Sequence, residues 1–309
     1  MNQKEEDFIK RMKLQENKFI FLTEQSKLLI KEQDSECEQQ INFPNPVYDA
    51  MFYNDLLIAS IRNMPIVIYK KEDNEWKQSM RLHDIKPNSE QFLAPLDMKK
   101  LSESNNIIGC GKGFLHEYDL SKSQIINYKS IKNYEYISCV DCCEQNENYG
   151  IAKNILLLGQ FNKIIKIVDT QQDKQIAEAK VHIGGITHLK FDKLDSLFFY
   201  SCARFDDYIY QWDLRNTSTF LQYFERKNQT NQRMNFDINR KRELLIGNDD
   251  GTTYVYKSDL KRFEFSISNS CVHSSVIQDD GQCYVSFGQR TFNEQKIFQT
   301  GIQNFTINS

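Results

Sequence analysis

Residues 181–191 read VHIGGITHLKF and residues 197–215 read LFFYSCARFDDYIYQWDLR. The second stretch is an apolar strand, a short polar turn and a second apolar strand ending in a large aromatic residue. Four other stretches share that order: LIASIRNMPIVIYK (57–70), IIGCGKGFLHEYDL (107–120), ILLLGQFNKIIKIVDT (155–170) and ELLIGNDDGTTYVYKS (243–258). Their closing residues, Tyr69, Tyr118, Val168, Trp212 and Tyr256, are spaced by 49, 50, 44 and 44 positions. A repeat of this length that ends each time in the same kind of strand is the mark of four-stranded blades in a β-propeller.

The stretch around Trp212 carries the WD-repeat signature. In a WD blade, a histidine before the first strand, an aspartate in the turn between the second and third strands, a hydroxyl and a tryptophan form a buried hydrogen-bonded chain. The corresponding residues are His182, Asp206, Ser201 and Trp212. Half of such a chain would strand buried polar groups, so His182 reads as structural rather than catalytic.

A sixth anchor follows at Phe298, 42 residues after Tyr256. FIFLTEQSKLLI (19–30) reads as two more strands, and Phe305 to Ile307 as a last one. Pairing the two chain ends in one blade would close the ring and hide the sheet edges. The sequence therefore predicts an all-β, seven-bladed WD40 β-propeller over residues 19–309, with six blades as the alternative count. Residues 1–18 are expected to be an N-terminal extension, helical or disordered, with Phe8, Ile9 and Met12 on one possible helix face.

Composition narrows the function classes. The 309 residues, 40% apolar, can bury a sizeable core as one domain. A net charge of −3 gives no general attraction to nucleic acid, so an RNA surface would have to be a local patch. No apolar run approaches the ~20 residues of a membrane-spanning helix, and MNQKEEDFIKRMK is no signal peptide, so neither a membrane nor secretion is expected. Eight scattered cysteines suggest buried thiols in a reducing compartment. Cys139-Val140-Asp141-Cys142-Cys143 contains a C-x-x-C without a second ligand pair nearby, so no metal site is expected. Gly109-Cys110-Gly111-Lys112-Gly113 precedes a strand rather than a helix and reads as a β-turn, not a phosphate loop. With no hydrolase or zincin motif either, the chain is expected to be no enzyme and to need no cofactor or small-molecule substrate.

The turns between second and third strands are more informative. They or their neighbours carry Arg62, Lys112, Lys163, Arg204 and Arg290, and a loop leading into a first strand carries Thr230-Asn231-Gln232-Arg233. In a propeller these segments emerge on one face, so six cations are expected to ring one mouth of the channel. Phe114, Phe161, Phe205 and Phe292 lie beside them in sequence. Cations attract phosphate and aromatic rings stack bases at roughly 1–3 kcal/mol each, the composition that single-stranded RNA binding requires. The expected RNA-binding set is Arg62, Lys112, Lys163, Arg204, Phe205, Asn231, Gln232, Arg233, Gln289 and Arg290. If all six cations met phosphate, the salt slope of binding would be about −4.

Ordered landmarks add a family resemblance. VYDAMFY (47–53), IASIRNMPIVIY, HIGGITHLKF, ARFDD with WDLR, TNQRMNFDI (230–238) and SFGQRTF (286–292) together resemble the telomerase Cajal body protein family. The resemblance implies recognition of a short loop in small Cajal-body RNAs of the box H/ACA type or in telomerase RNA, ribonucleoprotein partners, and a nuclear location in Cajal bodies or their equivalent. It marks Arg62, Arg204, Arg233 and Arg290 as family positions. Against the family pattern, the first blade is expected to be reduced and the long terminal extensions of animal members are expected to be missing, so contacts made through them are not implied. The alternative is a protein-only WD40 scaffold in a spliceosomal or other multiprotein complex.

Overall fold

The computed structural model describes residues 7–33, 35, 38–101, 106–128, 135–143, 154–288 and 300–307. Its strands fall into seven antiparallel sheets taken in chain order. The first holds β1 (Ile9–Gln15), β2 (Lys18–Thr23), β3 (Lys27–Glu32) and β4 (Glu38–Asn42). The second holds β5 (Val47–Tyr53), β6 (Leu56–Ile61), β7 (Ile66–Glu72) and β8 (Glu75–Leu82), and the third β9 (Asp97–Lys100), β10 (Ile107–Gly111), β11 (Phe114–Asp119) and β12 (Gln124–Asn127). The fourth holds β13 (Ile137–Cys142), β14 (Ile155–Gln160), β15 (Ile164–Asp169) and β16 (Lys174–Lys180), and the fifth β17 (Ile186–Phe191), β18 (Phe198–Ala203), β19 (Tyr208–Asp213) and β20 (Gln222–Glu225). The sixth holds β21 (Phe236–Ile238), β22 (Leu244–Gly247), β23 (Thr252–Tyr256) and β24 (Arg262–Ser266); the seventh, β25 (Val272–Ile277), β26 (Gln282–Phe287) and β27 (Gly301–Thr306). The fold is thus all-β and a seven-bladed β-propeller.

Two compact units divide the blades. Tyr48–Glu225 carries the second to fifth sheets; Met1–Val47 with Arg226–Ser309 carries the first, sixth and seventh. Within each unit the first strands are tied to one another by one repeated device. An aspartate on one first strand accepts a backbone N–H from the first strand of the next sheet: Asp49 from Met98 at 2.7 Å, Asp97 from Val140 at 3.1 Å and Asp141 from Phe191 at 2.7 Å. In the other unit Asp237 accepts from Ile277 at 3.0 Å, and Ser274 Oγ accepts from Met12 N–H at 3.0 Å. Such bonds satisfy backbone donors that a sheet's first strand would otherwise bury unpaired. Apolar clusters fill the gaps between consecutive blades. Between the fourth and fifth sheets, for example, Leu157 of β14 and Ile165 of β15 share a core with Leu189, Phe199 and Trp212 of β17 to β19.

Three expectations are corrected. Residues 9–15 form β1 rather than part of a helical or disordered extension. A bulge between Ile9 and Arg11 buries Arg11 and Met12 side by side, which hides the strand's alternation from the sequence. The first blade is not reduced, because Glu38–Asn42 supplies a fourth strand too polar to be read as one. Nor, among the described residues, do the chain ends share a blade: β27 pairs with β26, while β2 and β3 belong to a four-stranded sheet of their own. Phe298 lies outside the described residues.

The signature chain of the fifth blade has complete hydrogen bonding. Trp212 Nε1–H donates to Ser201 Oγ at 2.8 Å, and Ser201 Oγ lies 2.7 Å from His182 Nε2. His182 Nδ1 lies 2.6 Å from Asp206 Oδ2. A neutral imidazole protonated at Nδ1 lets every link donate or accept once, with the serine hydroxyl donating to Nε2. Cys139 and Cys142 sit in different apolar clusters, on opposite faces of β13, so one ion cannot draw on both.

Candidate nucleic-acid interface

Tight turns decide where the cations go. In the unit Tyr48–Glu225, each turn between second and third strands contains one residue in the left-handed region: Asn63 (φ 55°), Gly113 (φ 78°), Lys163 (φ 74°) and Phe205 (φ 52°). Such turns reverse the chain within a few residues and hold their side chains outward. Arg62, Lys112 and Lys163 are exposed, and among the described residues they form no ion pair. Phe205 is 45% exposed although a bulky side chain disfavours its backbone conformation.

Contacts between blades join these turns into one surface. Arg204 lays its guanidinium over the Phe161 ring at 4.7 Å, and Tyr136 meets Phe161 edge-on at 4.4 Å. Phe161 N–H donates to the Tyr136 carbonyl at 3.1 Å, and Lys112 pairs with Tyr136 as an isolated bridge. Tyr48 extends the surface toward Arg62: burial pushes its phenol up, and the Arg62 cation pulls it partly back. The Arg204 turn is seated on Gly184-Gly185. Arg204 N–H donates to the Gly185 carbonyl at 3.0 Å, and a Cβ on Gly184 would lie 1.9 Å from the Arg204 carbonyl oxygen. Only glycine allows that approach.

The carboxylates nearby are occupied. Glu135 receives Lys166 at 2.6 Å and Gln160 Nε2 at 2.9 Å, and Asp206 is held by His182. Arg62, Lys112 and Lys163 are exposed and form no ion pair among the described residues. Chemically this is a platform of two exposed rings, Tyr136 and Phe205, a guanidinium held over a third, and three exposed cations. It suits phosphates and unpaired bases.

The structure brings together Arg62, Lys112, Lys163, Arg204 and Phe205. Asn231, Gln232 and Arg233 belong to the other unit, in the loop before β21, where Asn231 is exposed and the other two are half-buried. The turn after β22 in that unit is acidic: Asp250 holds Lys227 at 2.6 Å, and Asp249 accepts from Gln229 N–H at 2.6 Å. Gln289, Arg290 and Phe292 lie outside the described residues. Phe114 is buried against Gly111 and His116, since the Gly111–Phe114 turn folds its ring inward. Sequence reasoning centred on the turns passes over Tyr48 and Tyr136, which open first strands; the signal is an aromatic at each such opening, VYD and EYI.

No protein-family model matches the chain. It is similar to Telomerase Cajal body protein 1 of Rattus norvegicus, 33% identical over 122 residues that make up 38% of this chain and 23% of the rat protein. The mouse (Mus musculus) protein of that name is 35% identical over 109 residues, 35% of this chain and 20% of the relative. The human (Homo sapiens) one is 31% identical over 112 residues, 36% and 20%. The matched stretch thus spans about a fifth of the length of these curated relatives. Over about a third of its length the chain resembles the telomerase Cajal body proteins, the family to which its ordered landmarks also point.

Proposed function

We propose that this chain is a non-catalytic adaptor that grips an unpaired loop of a small nuclear RNA, of the box H/ACA or telomerase type, on the cation and aromatic platform of the unit Tyr48–Glu225. Its remaining surfaces then contact ribonucleoprotein partners, and its place of work is the nucleus, in Cajal bodies or their equivalent. The observation that carries the reading is the Tyr136–Phe161–Arg204 contact cluster, flanked by three cations, Arg62, Lys112 and Lys163, that have no acid partner among the described residues. The names of the relatives support the same context. Asn231, Gln232, Arg233, Gln289 and Arg290 are proposed as further contacts on the strength of the landmark resemblance.

Crosslinking in cells followed by RNA sequencing tests the proposal. Enrichment of one class of small nuclear RNA is expected; recovery of none above background leaves the protein-only scaffold. Arg204→Ala is expected to lower RNA affinity by ~1–3 kcal/mol, the worth of one well-placed guanidinium contact. A titration that superimposes on the wild type, with folding intact, removes Arg204 from the site.

A further inference from the structure

The unit made of Met1–Val47 and Arg226–Ser309 buries three side chains that the RNA reading does not use: Met234, Cys271 and His273. None is more than 2% exposed. Cys271 Sγ lies 3.6 Å from Met234 Sδ and 3.9 Å from His273 Nδ1.

Backbone pairing puts them there. Val272 stands opposite Phe287 and Ser274 opposite Ser286, so His273 is the extra residue of a bulge in β25, a device that re-aims a side chain. Met234 sits in the loop before β21, and that loop is pinned to the same strand. Asn235 N–H donates to the His273 carbonyl at 3.0 Å, and Asn235 Oδ1 accepts from Ser275 N–H at 2.8 Å. Gly288 N–H in turn donates to the Cys271 carbonyl at 3.0 Å.

His273 shows which of its nitrogens faces the sulfur bare. Nε2 is in hydrogen-bond contact with the Gly288 carbonyl, which can only accept. A neutral imidazole therefore carries its proton on Nε2 and turns the Nδ1 lone pair toward Cys271 Sγ. A carbonyl on the far nitrogen is also how a metal-binding imidazole is held. The Phe8 ring stacks on that imidazole with centroids 5.2 Å apart, and a Cβ on Gly288 would lie 2.6 Å from Phe8 Cβ.

We infer that Met234, Cys271 and His273 bind one Cu(I) ion. Two sulfur or nitrogen donors about 2.0–2.3 Å from a metal and about 120° apart stand about 3.5–4 Å from each other, which both contacts of Cys271 Sγ satisfy. A thioether is a soft, uncharged donor that selects Cu(I) over harder divalent ions. Charge gives the same answer. Burial pushes the Cys271 thiol up to about 12, so it keeps its proton until the metal displaces it. Thiolate and Cu(I) together are then neutral, whereas a divalent ion would leave a net charge in a buried site. Among the described residues no three His, Cys, Asp or Glu side chains gather as a metal site; a methionine completes this one.

The test adds Cu(I), without oxygen, to the whole protein both when folded and during refolding from urea, so that burial does not bar entry. The complex is then challenged with a chromogenic Cu(I) chelator. One ion is expected to stay with each chain, and X-ray absorption at the copper edge is expected to show two sulfurs and one nitrogen. Met234→Leu and Cys271→Ser are each expected to weaken retention at least about tenfold, no less than the loss of an outer ligand costs a metal site. Cys143→Ser, which leaves the cluster intact, is expected to retain copper as the wild type does. Loss of all copper from the wild type to the chelator overturns the inference. So does a copper edge with sulfur alone, which places the ion on other cysteines; that spectrum is read on the wild type and needs neither variant to fold. Displacement of Cu(I) by equimolar Zn(II), or equal retention by wild type and Met234→Leu, overturns it as well.

Discussion

Phe205 holds a left-handed backbone at φ 52° with its ring 45% exposed, a combination that offers the fold little. An L-residue there costs roughly 1–2 kcal/mol, which glycine escapes. Phe205→Gly is expected to raise stability by about 0.5–1 kcal/mol in urea unfolding while RNA affinity falls by ~1–3 kcal/mol from the lost stacking platform. If both fall together, the ring is structural and does not belong to the interface. Ser201 is the converse case. Removing its hydroxyl strands the Trp212 N–H and His182 Nε2 in the core, so Ser201→Ala is expected to cost about 2–4 kcal/mol in the same measurement. Burial pushes the Cys271 and Cys283 thiols up to about 12, and only the thiolate alkylates. At about pH 8 in the native protein both are expected to resist iodoacetamide, as followed by mass spectrometry, while half-buried Cys143 reacts before the other described cysteines. His182, Ser201, Asp206 and Trp212 could be picked out of the sequence because their hydrogen-bond chain fixes both residue type and spacing. Tyr48 and Tyr136 carry only a weaker signal, an aromatic at the opening of a first strand, since their place on the surface depends on which blades stand side by side.

At the scale of the element, first strands carry both the packing and the clearest test of it. Asp141 serves two neighbours: it accepts from Phe191 N–H on one side and holds Lys99 Nζ at 2.9 Å on the other. Burial alone would lower Lys99, but the Asp141 and Asp97 carboxylates more than offset it, and the group stays an ammonium. Asp97 accepts from Val140 N–H at 3.1 Å and stands farther from the ammonium's direct contact. Asp141→Ala is therefore expected to cost about 2–4 kcal/mol and Asp97→Ala about 1–3 kcal/mol, because the former also takes from a partly buried cation the carboxylate it touches. Adding Lys99→Met to Asp141→Ala should restore part of the loss in denaturant unfolding; a further drop instead would mean that Lys99 is held by packing of its stem rather than by charge. Strands with a cleanly apolar run, such as ILLLGQ of β14, are readable without a structure. β1 and β4 are not: a bulge interrupts the alternation of one, and the other, EQQIN, owes its conformation to the ladder with β3 rather than to its side chains.

For the molecule as a whole, a net charge of −3 has to be reconciled with an RNA ligand, and the division of charge between units does so. The turns of the unit Tyr48–Glu225 present Arg62, Lys112, Lys163 and Arg204, whereas the corresponding turn after β22 presents Asp249 and Asp250. A pattern of turn cations was legible in the sequence, but their number on one surface was not, because that depends on which acids lie within reach of each. Arg62, Lys112, Lys163 and Arg204 at about 0.7 each contribute about −3 to the salt slope on a single strand, and the proposed contacts of Arg233 and Arg290 bring it to about −4. Binding measured between about 50 and 300 mM salt should show that slope, and Arg62→Ala, Lys112→Ala and Lys163→Ala should each reduce it by about 0.7. Lys227→Ala is the internal control: its ammonium is already held by Asp250 at 2.6 Å, so its removal should leave the slope unchanged. Equal effects from Lys227 and Lys163 would show that the RNA responds to overall charge alone, and the platform around Phe161 would lose its claim to be the binding surface.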